Sequence, residues 1–212
     1  MSHVVDEPRP AVTAIDLQMV AAGLGSITLV IGLSLALANS TGEMLTRNTV
    51  RLSLAWYAVA LCLMMRLTPA DRRAATTLGR IARWCWTLSL VSFLVHLGMA
   101  FHFYHQWSHA HAFQRTAEVS GVGEGVYISY LFTCLWAADV AWWWTQPDAY
   151  ATRSRYIDRA LHTFMLFIVF NGMVIYENGP IRWAGLAMFA LLAAAWWQAR
   201  SARRSADRWA NR

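Results

Sequence analysis

Residues 17–38 read LQMVAAGLGSITLVIGLSLALA and contain no charged side chain. A helix needs about 20 mostly apolar residues to cross the hydrocarbon core of a bilayer, so this stretch is long enough for one crossing. The rest of the composition agrees, because 57% of the 212 residues are hydrophobic and only 14% are charged. A soluble domain carries about 25% charged residues. The sequence therefore predicts an integral membrane protein.

Five further segments have the length and apolar content of a spanning helix, which predicts an all-α bundle of six transmembrane helices. The second span is the weakest, because Arg51 and Arg66 leave only fourteen uncharged residues between them. Both side chains can extend toward the lipid head groups. We interpret residues 1–212 as a single transmembrane domain with spans at about 17–38, 50–67, 82–104, 126–145, 160–176 and 181–199.

The distribution of arginine predicts the orientation of the bundle. If the N-terminus is cytoplasmic, six spans leave 14 of the 18 arginines inside and only Arg47, Arg51, Arg115 and Arg182 outside. Cytoplasmic loops carry such an excess of basic residues. Seven of the 12 tryptophans, a residue type that favours the membrane interface, lie at the inner ends of the predicted helices: Trp84, Trp86, Trp142, Trp143, Trp144, Trp196 and Trp197. We therefore expect a multi-pass protein of a bacterial inner membrane with both termini cytoplasmic.

One alternative concerns the first span. Ala36-Leu37-Ala38 resembles a small-residue cleavage site, so residues 1–38 could form a signal peptide. The apolar stretch is longer than the apolar region of a typical signal peptide, and acidic residues precede it. Both features favour a span that is retained in the mature protein. Cleavage would leave five spans in the same orientation.

Two classes of partner or site are excluded by composition. The net charge of +6 comes from arginines beside apolar segments, not from a basic stripe with exposed aromatic residues, so nucleic-acid binding is not expected. Cys62, Cys85 and Cys134 all lie in apolar segments and form no CxxC pair. A disulfide framework or zinc ribbon is therefore not expected.

Histidines are concentrated in one segment. Five of the seven lie in HLGMAFHFYHQWSHAHAF, residues 96–113. If the third span continues as a helix beyond the lipid, His102, His105 and His109 fall within about 60° on one face. The i, i+4 spacing of His105 and His109 lets two imidazoles bind one ion. Because imidazole binds zinc, copper and iron, the pattern predicts a transition-metal site at the outer face.

Further ligands for that ion are available on the same side of the predicted membrane. His111 is one candidate, and Glu118, Glu124 or Glu177 could supply a carboxylate. Three histidines with an open coordination position resemble a catalytic zinc arrangement. No complete catalytic signature accompanies them, since Gln106 stands where HExxH would need glutamate. The leading hypothesis is metal handling or metal-dependent chemistry.

Three other functions fit parts of the sequence. The histidines could merely present amphipathic rings at the interface, in a structural or assembly subunit with membrane-protein partners. A b-type haem could be held by His96, although the 13-residue spacing of His96 and His109 lacks matching histidines on a second helix. A proton-coupled transporter is the third alternative.

Polar residues inside the predicted spans bear on that last alternative. Asp139 should have a partner inside the bundle, since an ionisable group there costs about 2.5–3.5 kcal/mol on insertion scales. His162 or an arginine could clamp it. Together with Asn171 and His96, these groups would form a polar ladder across the bundle if the helix rotations bring them together.

Overall fold

The computed structural model describes residues 12–37 and 41–210, and every regular element within these two ranges is helical. The all-α prediction is therefore confirmed. Ala38, the last residue of the first predicted span and of the candidate cleavage site, lies outside the described residues. The helices are α1 (Ala14–Leu37), α2 (Thr41–Met64), α3 (Pro69–Arg72), α4 (Thr77–Phe103), α5 (His109–Ser120), α6 (Gly125–Thr145), α7 (Pro147–Ala151), α8 (Arg155–Phe170) and α9 (Pro180–Ala210).

Four helices in the described part of the chain are long and apolar enough to cross a membrane. They cover Ala14–Leu37, Thr77–Phe103, Arg155–Ile175 and Pro180–Ser205. α2, with 24 residues, covers the second predicted span as far as Met64, and α6, with 21 residues, contains the fourth, but neither is one of these four helices. The chain thus has the helices of a multi-pass membrane protein, with a lipid bilayer as its surroundings.

The outer helices expose apolar side chains as such surroundings require. Leu17 and Leu24 on α1 expose 64% of their surface, and Leu191 on α9 exposes 69%. Large apolar faces of this kind are rare on soluble monomers and mark contact with lipid or protein.

The six long helices run alternately between two ends of the bundle. At one end Asp16 of α1 pairs with Arg80 of α4 at 3.0 Å, and Arg203 of α9 donates to the Met65 carbonyl at 2.7 Å. We call this the arginine end. The segment 102–111 lies at the opposite end, which we call the histidine end.

α2 and α4 form the closest helix pair, and α1 packs on both. Ser53 Oγ donates to the Ser89 carbonyl at 2.9 Å, and Ser89 Oγ donates to the Ser53 carbonyl at 2.7 Å. Both serines are buried. Small hydroxylated residues of this kind let two helix backbones approach closely and join them by hydrogen bonds.

Aromatic side chains fill the middle of the bundle. The rings of Trp86 and Trp136 lie 5.2 Å apart, Tyr57 lies 5.7 Å from Trp136, and Phe93 lies 5.3 Å from Phe132. We call these five residues the aromatic floor. They connect α2, α4 and α6 across the core.

Short polar turns fix the start of α4 at the arginine end. Asp71 accepts hydrogen bonds from the Thr68 backbone and hydroxyl and from the Thr76 hydroxyl, at 2.8, 2.7 and 2.5 Å. These bonds favour the carboxylate and lower the pKa of Asp71. Gly79 packs so closely on the Asp71 carbonyl that a Cβ would overlap it.

At the histidine end the backbone differs from the expected continuous helix. α4 ends at Phe103, and Gln106 and Trp107 have φ angles of 49° and 58°. Positive φ values are incompatible with a right-handed α-helix. Ser108 then caps a new helix by accepting from the His111 N–H at 3.3 Å, as N-cap serines do. The prediction of one helical face through His109 is therefore wrong.

Candidate functional site

The predicted metal ligands lie on three different elements. His102 is on α4, His105 lies in the turn, and His109 begins α5. The His109 Nδ1 atom lies 3.0 Å from the Tyr130 hydroxyl. The rings of His105 and His111 are 5.9 Å apart. Among the described residues, no three histidine, cysteine or acidic side chains are grouped so that they could hold a metal ion.

Two of the three candidate carboxylates have other surroundings. Glu118 pairs with Arg115 at 2.7 Å. Glu177 lines a cavity on the side of the bundle where α8 gives way to α9. Within the histidine segment, only the rings of His105 and His111 are in contact with each other.

His105 is the most enclosed of the four histidines between residues 102 and 111. Its Nδ1 atom is buried and has no hydrogen-bond partner among the described residues. Burial, His111 and the Arg115 charge lower the pKa of His105. The ring is therefore neutral at physiological pH.

A cavity of about 380 Å³ lies inside the bundle, above the aromatic floor and toward the histidine end. α2, α4, α6, α8 and the start of α9 all contribute to its wall. Its lining is mostly apolar, and its charged and titratable members are Arg47, Arg51, Tyr57, His96 and Glu177. Ligand sites in proteins are commonly clefts of about 300–1,000 Å³ with such a lining.

The tautomer of His96 follows from the one hydrogen bond that its ring makes. Its Nδ1 atom lies 2.8 Å from the Thr46 carbonyl oxygen. A carbonyl only accepts, so Nδ1 must carry the proton. In the neutral ring the Nε2 atom is then an acceptor, and it makes no hydrogen bond to any described residue. His96 therefore offers a lone pair at the cavity wall.

Two other cavity-lining side chains have unpaired polar atoms. Tyr57 is 0% exposed and Trp136 is 2% exposed. The Tyr57 hydroxyl and the Trp136 Nε1 atom are both buried without a partner among the described residues. Buried polar groups are nearly always hydrogen-bonded, and an unsatisfied one costs about 1–3 kcal/mol.

α8 widens where it borders this cavity. Asn171–Ile175 form a π-helical turn that continues α8 directly, and Gly172 and Met173 line the cavity. π-Helical turns frequently occur at functional sites. The Asn171 amide donates to the Phe167 carbonyl of its own helix at 2.7 Å. Asn171 is therefore not joined to His96.

A buried ion-pair network lies at the arginine end of the bundle. The Arg153 guanidinium donates to Asp139 on α6 and to Asp158 on α8. The side chains of Arg153 and Asp139 are only 2% and 3% exposed. Asp139 also accepts from Trp86 Nε1 at 2.9 Å and from the Tyr150 hydroxyl at 3.2 Å. The partner of Asp139 is thus an arginine.

His162 lies beside this ion-pair network and does not connect it to His96. Its Nε2 atom is 3.7 Å from Asp158, and its ring meets Trp86 edge-on at 5.7 Å. The aromatic floor separates Asp139 and His162 from His96. The structure therefore does not bring the polar side chains into one continuous ladder.

Comparisons with protein-family models, curated proteins and solved structures find no match to this chain. The described residues form an all-α protein with four helices that could span a membrane.

Sequence reasoning missed the most informative residues of the cavity. Tyr57 and Trp136 lie within predicted spans but are separated by 79 positions, and only helix rotation brings them together. An aromatic side chain with a polar atom at mid-span was the available signal, since such an atom needs a partner when buried.

Proposed function

We propose that this chain is a six-span bacterial inner-membrane protein with cytoplasmic termini that binds a small, largely apolar molecule in the cavity beside His96. The alternation of the six long helices and the concentration of arginines at one end support that topology. The ligand carries a hydrogen-bond acceptor, such as a carbonyl oxygen, that faces the aromatic floor.

The unpaired hydroxyl of Tyr57 and the unpaired Nε1 of Trp136 carry this proposal. Both atoms are closed to a water molecule, so the cavity wall would have to shift before a ligand oxygen, with its two lone pairs, could accept from both donors. That contact would remove two unsatisfied buried groups. The apolar wall would favour the remainder of the ligand through burial of its surface. His96 Nε2 would accept a hydroxyl or amide proton from a second polar group of the ligand.

The test is a binding screen on protein purified in mild detergent. Apolar carbonyl compounds are added, and thermal unfolding and bound small molecules are measured. We expect several compounds to raise the unfolding temperature of the wild type. Tyr57→Phe should reduce that increase, and should leave the ligand-free protein as stable as the wild type or more so, because the unpaired hydroxyl is gone.

Tyr156→Phe is the matched control, since Tyr156 is 81% exposed and does not line the cavity. It should leave both measurements unchanged. The proposal fails if no compound stabilises the wild type, or if ligands stabilise the Tyr57→Phe and wild-type proteins equally.

A further inference from the structure

A separate cavity of about 520 Å³ opens at the arginine end, below the buried ion-pair network. It lies between the ends of α2 and α9, the loop before α8 and the helix α3. Asp158 is the one acidic residue in its lining within the described part of the chain. The arginines that line it are Arg66, Arg72, Arg153, Arg155 and Arg203.

The positive charge of this cavity is not balanced from within. Asp158 is shared by Arg153 and by Arg72, whose Nη1 lies 3.5 Å away. Asp139 contributes a second negative charge to Arg153. Arg66, Arg155 and Arg203 make no ion pair with an acid whose side chain the structure describes. Among the side chains that the structure describes, at least three cations therefore line one concave surface without a paired acid.

A neighbouring cavity of about 550 Å³ extends the same surface along α9. It shares Arg72 and Arg203 with the first cavity and adds Arg159 and Arg200. The Arg200 guanidinium lies 5.1 Å from the Trp196 ring centroid. Since tryptophan favours the membrane interface, this surface would lie at head-group depth.

We infer that the arginine-lined cavity binds a phosphate group. Guanidinium groups form paired, charge-assisted hydrogen bonds with phosphate oxygens. A doubly or singly charged phosphate would offset the repulsion among Arg66, Arg155 and Arg203. Two sources share this chemistry: the head group of an anionic phospholipid, and a soluble phosphate ester. Basic pockets between spanning helices are known to hold anionic head groups.

The experiment compares wild-type protein with Arg66→Gln/Arg155→Gln. A matched control, Arg204→Gln/Arg208→Gln, removes the same charge from the same end but outside the cavity. One arm measures binding in nanodiscs with phosphatidylglycerol against nanodiscs with phosphatidylcholine. The other arm adds inorganic phosphate against chloride at equal ionic strength in detergent. Native mass spectrometry and thermal unfolding report binding in both arms.

We expect saturable binding of at least one probe, weakened about tenfold or more in Arg66→Gln/Arg155→Gln and less than about twofold in the control. Binding in the first arm alone assigns the site to lipid, and binding of inorganic phosphate assigns it to a soluble ester. The inference is overturned if neither probe binds, or if both double variants weaken binding equally. Arg66→Gln alone serves if the double variant does not fold.

Discussion

Trp86 on α4 donates its indole N–H to the carboxylate of Asp139 on α6 at 2.9 Å. The same ring contacts Trp136, at 5.2 Å between centroids. Trp86 therefore belongs to both the aromatic floor and the ion-pair network. It joins the middle of the bundle to the arginine end and separates the His96 cavity from the buried charges.

Removal of the Asp139 charge should strongly destabilise the bundle. Asp139→Asn leaves the Arg153 guanidinium, whose side chain is 2% exposed, without its charged partner on α6. Breaking a buried ion pair from one side costs about 3–5 kcal/mol. Thermal unfolding in detergent should show a large decrease in midpoint. Asp148→Asn, which removes an ion pair whose acid is 87% exposed, should change the midpoint little. Equal midpoints in the two variants would contradict a clamping role for Asp139.

Two glycines of α4 should respond oppositely to alanine. A Cβ at Gly79 would overlap the Asp71 carbonyl, whereas nothing lies within 4 Å of a Cβ at Gly98. Gly79→Ala should lower the unfolding temperature clearly. Gly98→Ala should leave it unchanged or raise it, since replacing a helical glycine by alanine favours the helix by about 0.5–1 kcal/mol. A stable Gly79→Ala protein would mean that α3 and α4 are not in close contact.

Metal binding at the histidine end stays a prediction, and the structure changes which residues should matter. Only His105 and His111 face each other, at 5.9 Å between ring centroids. Bound zinc or copper, measured by elemental analysis and titration, should decrease in His105→Ala and His111→Ala. His102→Ala should bind as the wild type does. A dominant effect of His102→Ala would instead favour a continuous helical face. An absorption spectrum of the same preparation tests for haem at His96.

The stability of the histidine end should depend on pH. The pKa of His105 is lowered from 6.5 by burial, His111 and Arg115, so the unfolded chain binds the proton more tightly than the folded chain does. Stability is then full above pH 6.5 and decreases as the pH falls below that value. His105→Gln should flatten this dependence, as measured by thermal unfolding between pH 7.5 and about 5. An unchanged slope would show that His105 does not cause it.

Length and apolar content, which decide what can cross a bilayer, mark four of the six predicted spans in the structure and do not mark α2 and α6. The histidine site could not be predicted in this way. Spacing places His102, His105 and His109 on one face only if the helix continues, and Ser108 was a local signal for a new helix start. The partner of Asp139 was expected to be His162 or an arginine. The partner is Arg153 because the loop between α7 and α8 folds back toward α6. The periodicity of apolar residues in the sequence does not predict the path of such a loop.

The wide turn at Asn171–Ile175 has a consequence for α8 and everything after it. Such a turn accommodates one residue more than a regular helix does, and one residue corresponds to about 100° of rotation. The chain beyond Ile175 is therefore turned by about a quarter of a circle relative to an uninterrupted helix. Removing a single residue there would let the helix close regularly and would keep Glu177 at the cavity. The wide turn thus absorbs one surplus residue and preserves the direction in which the last hairpin faces.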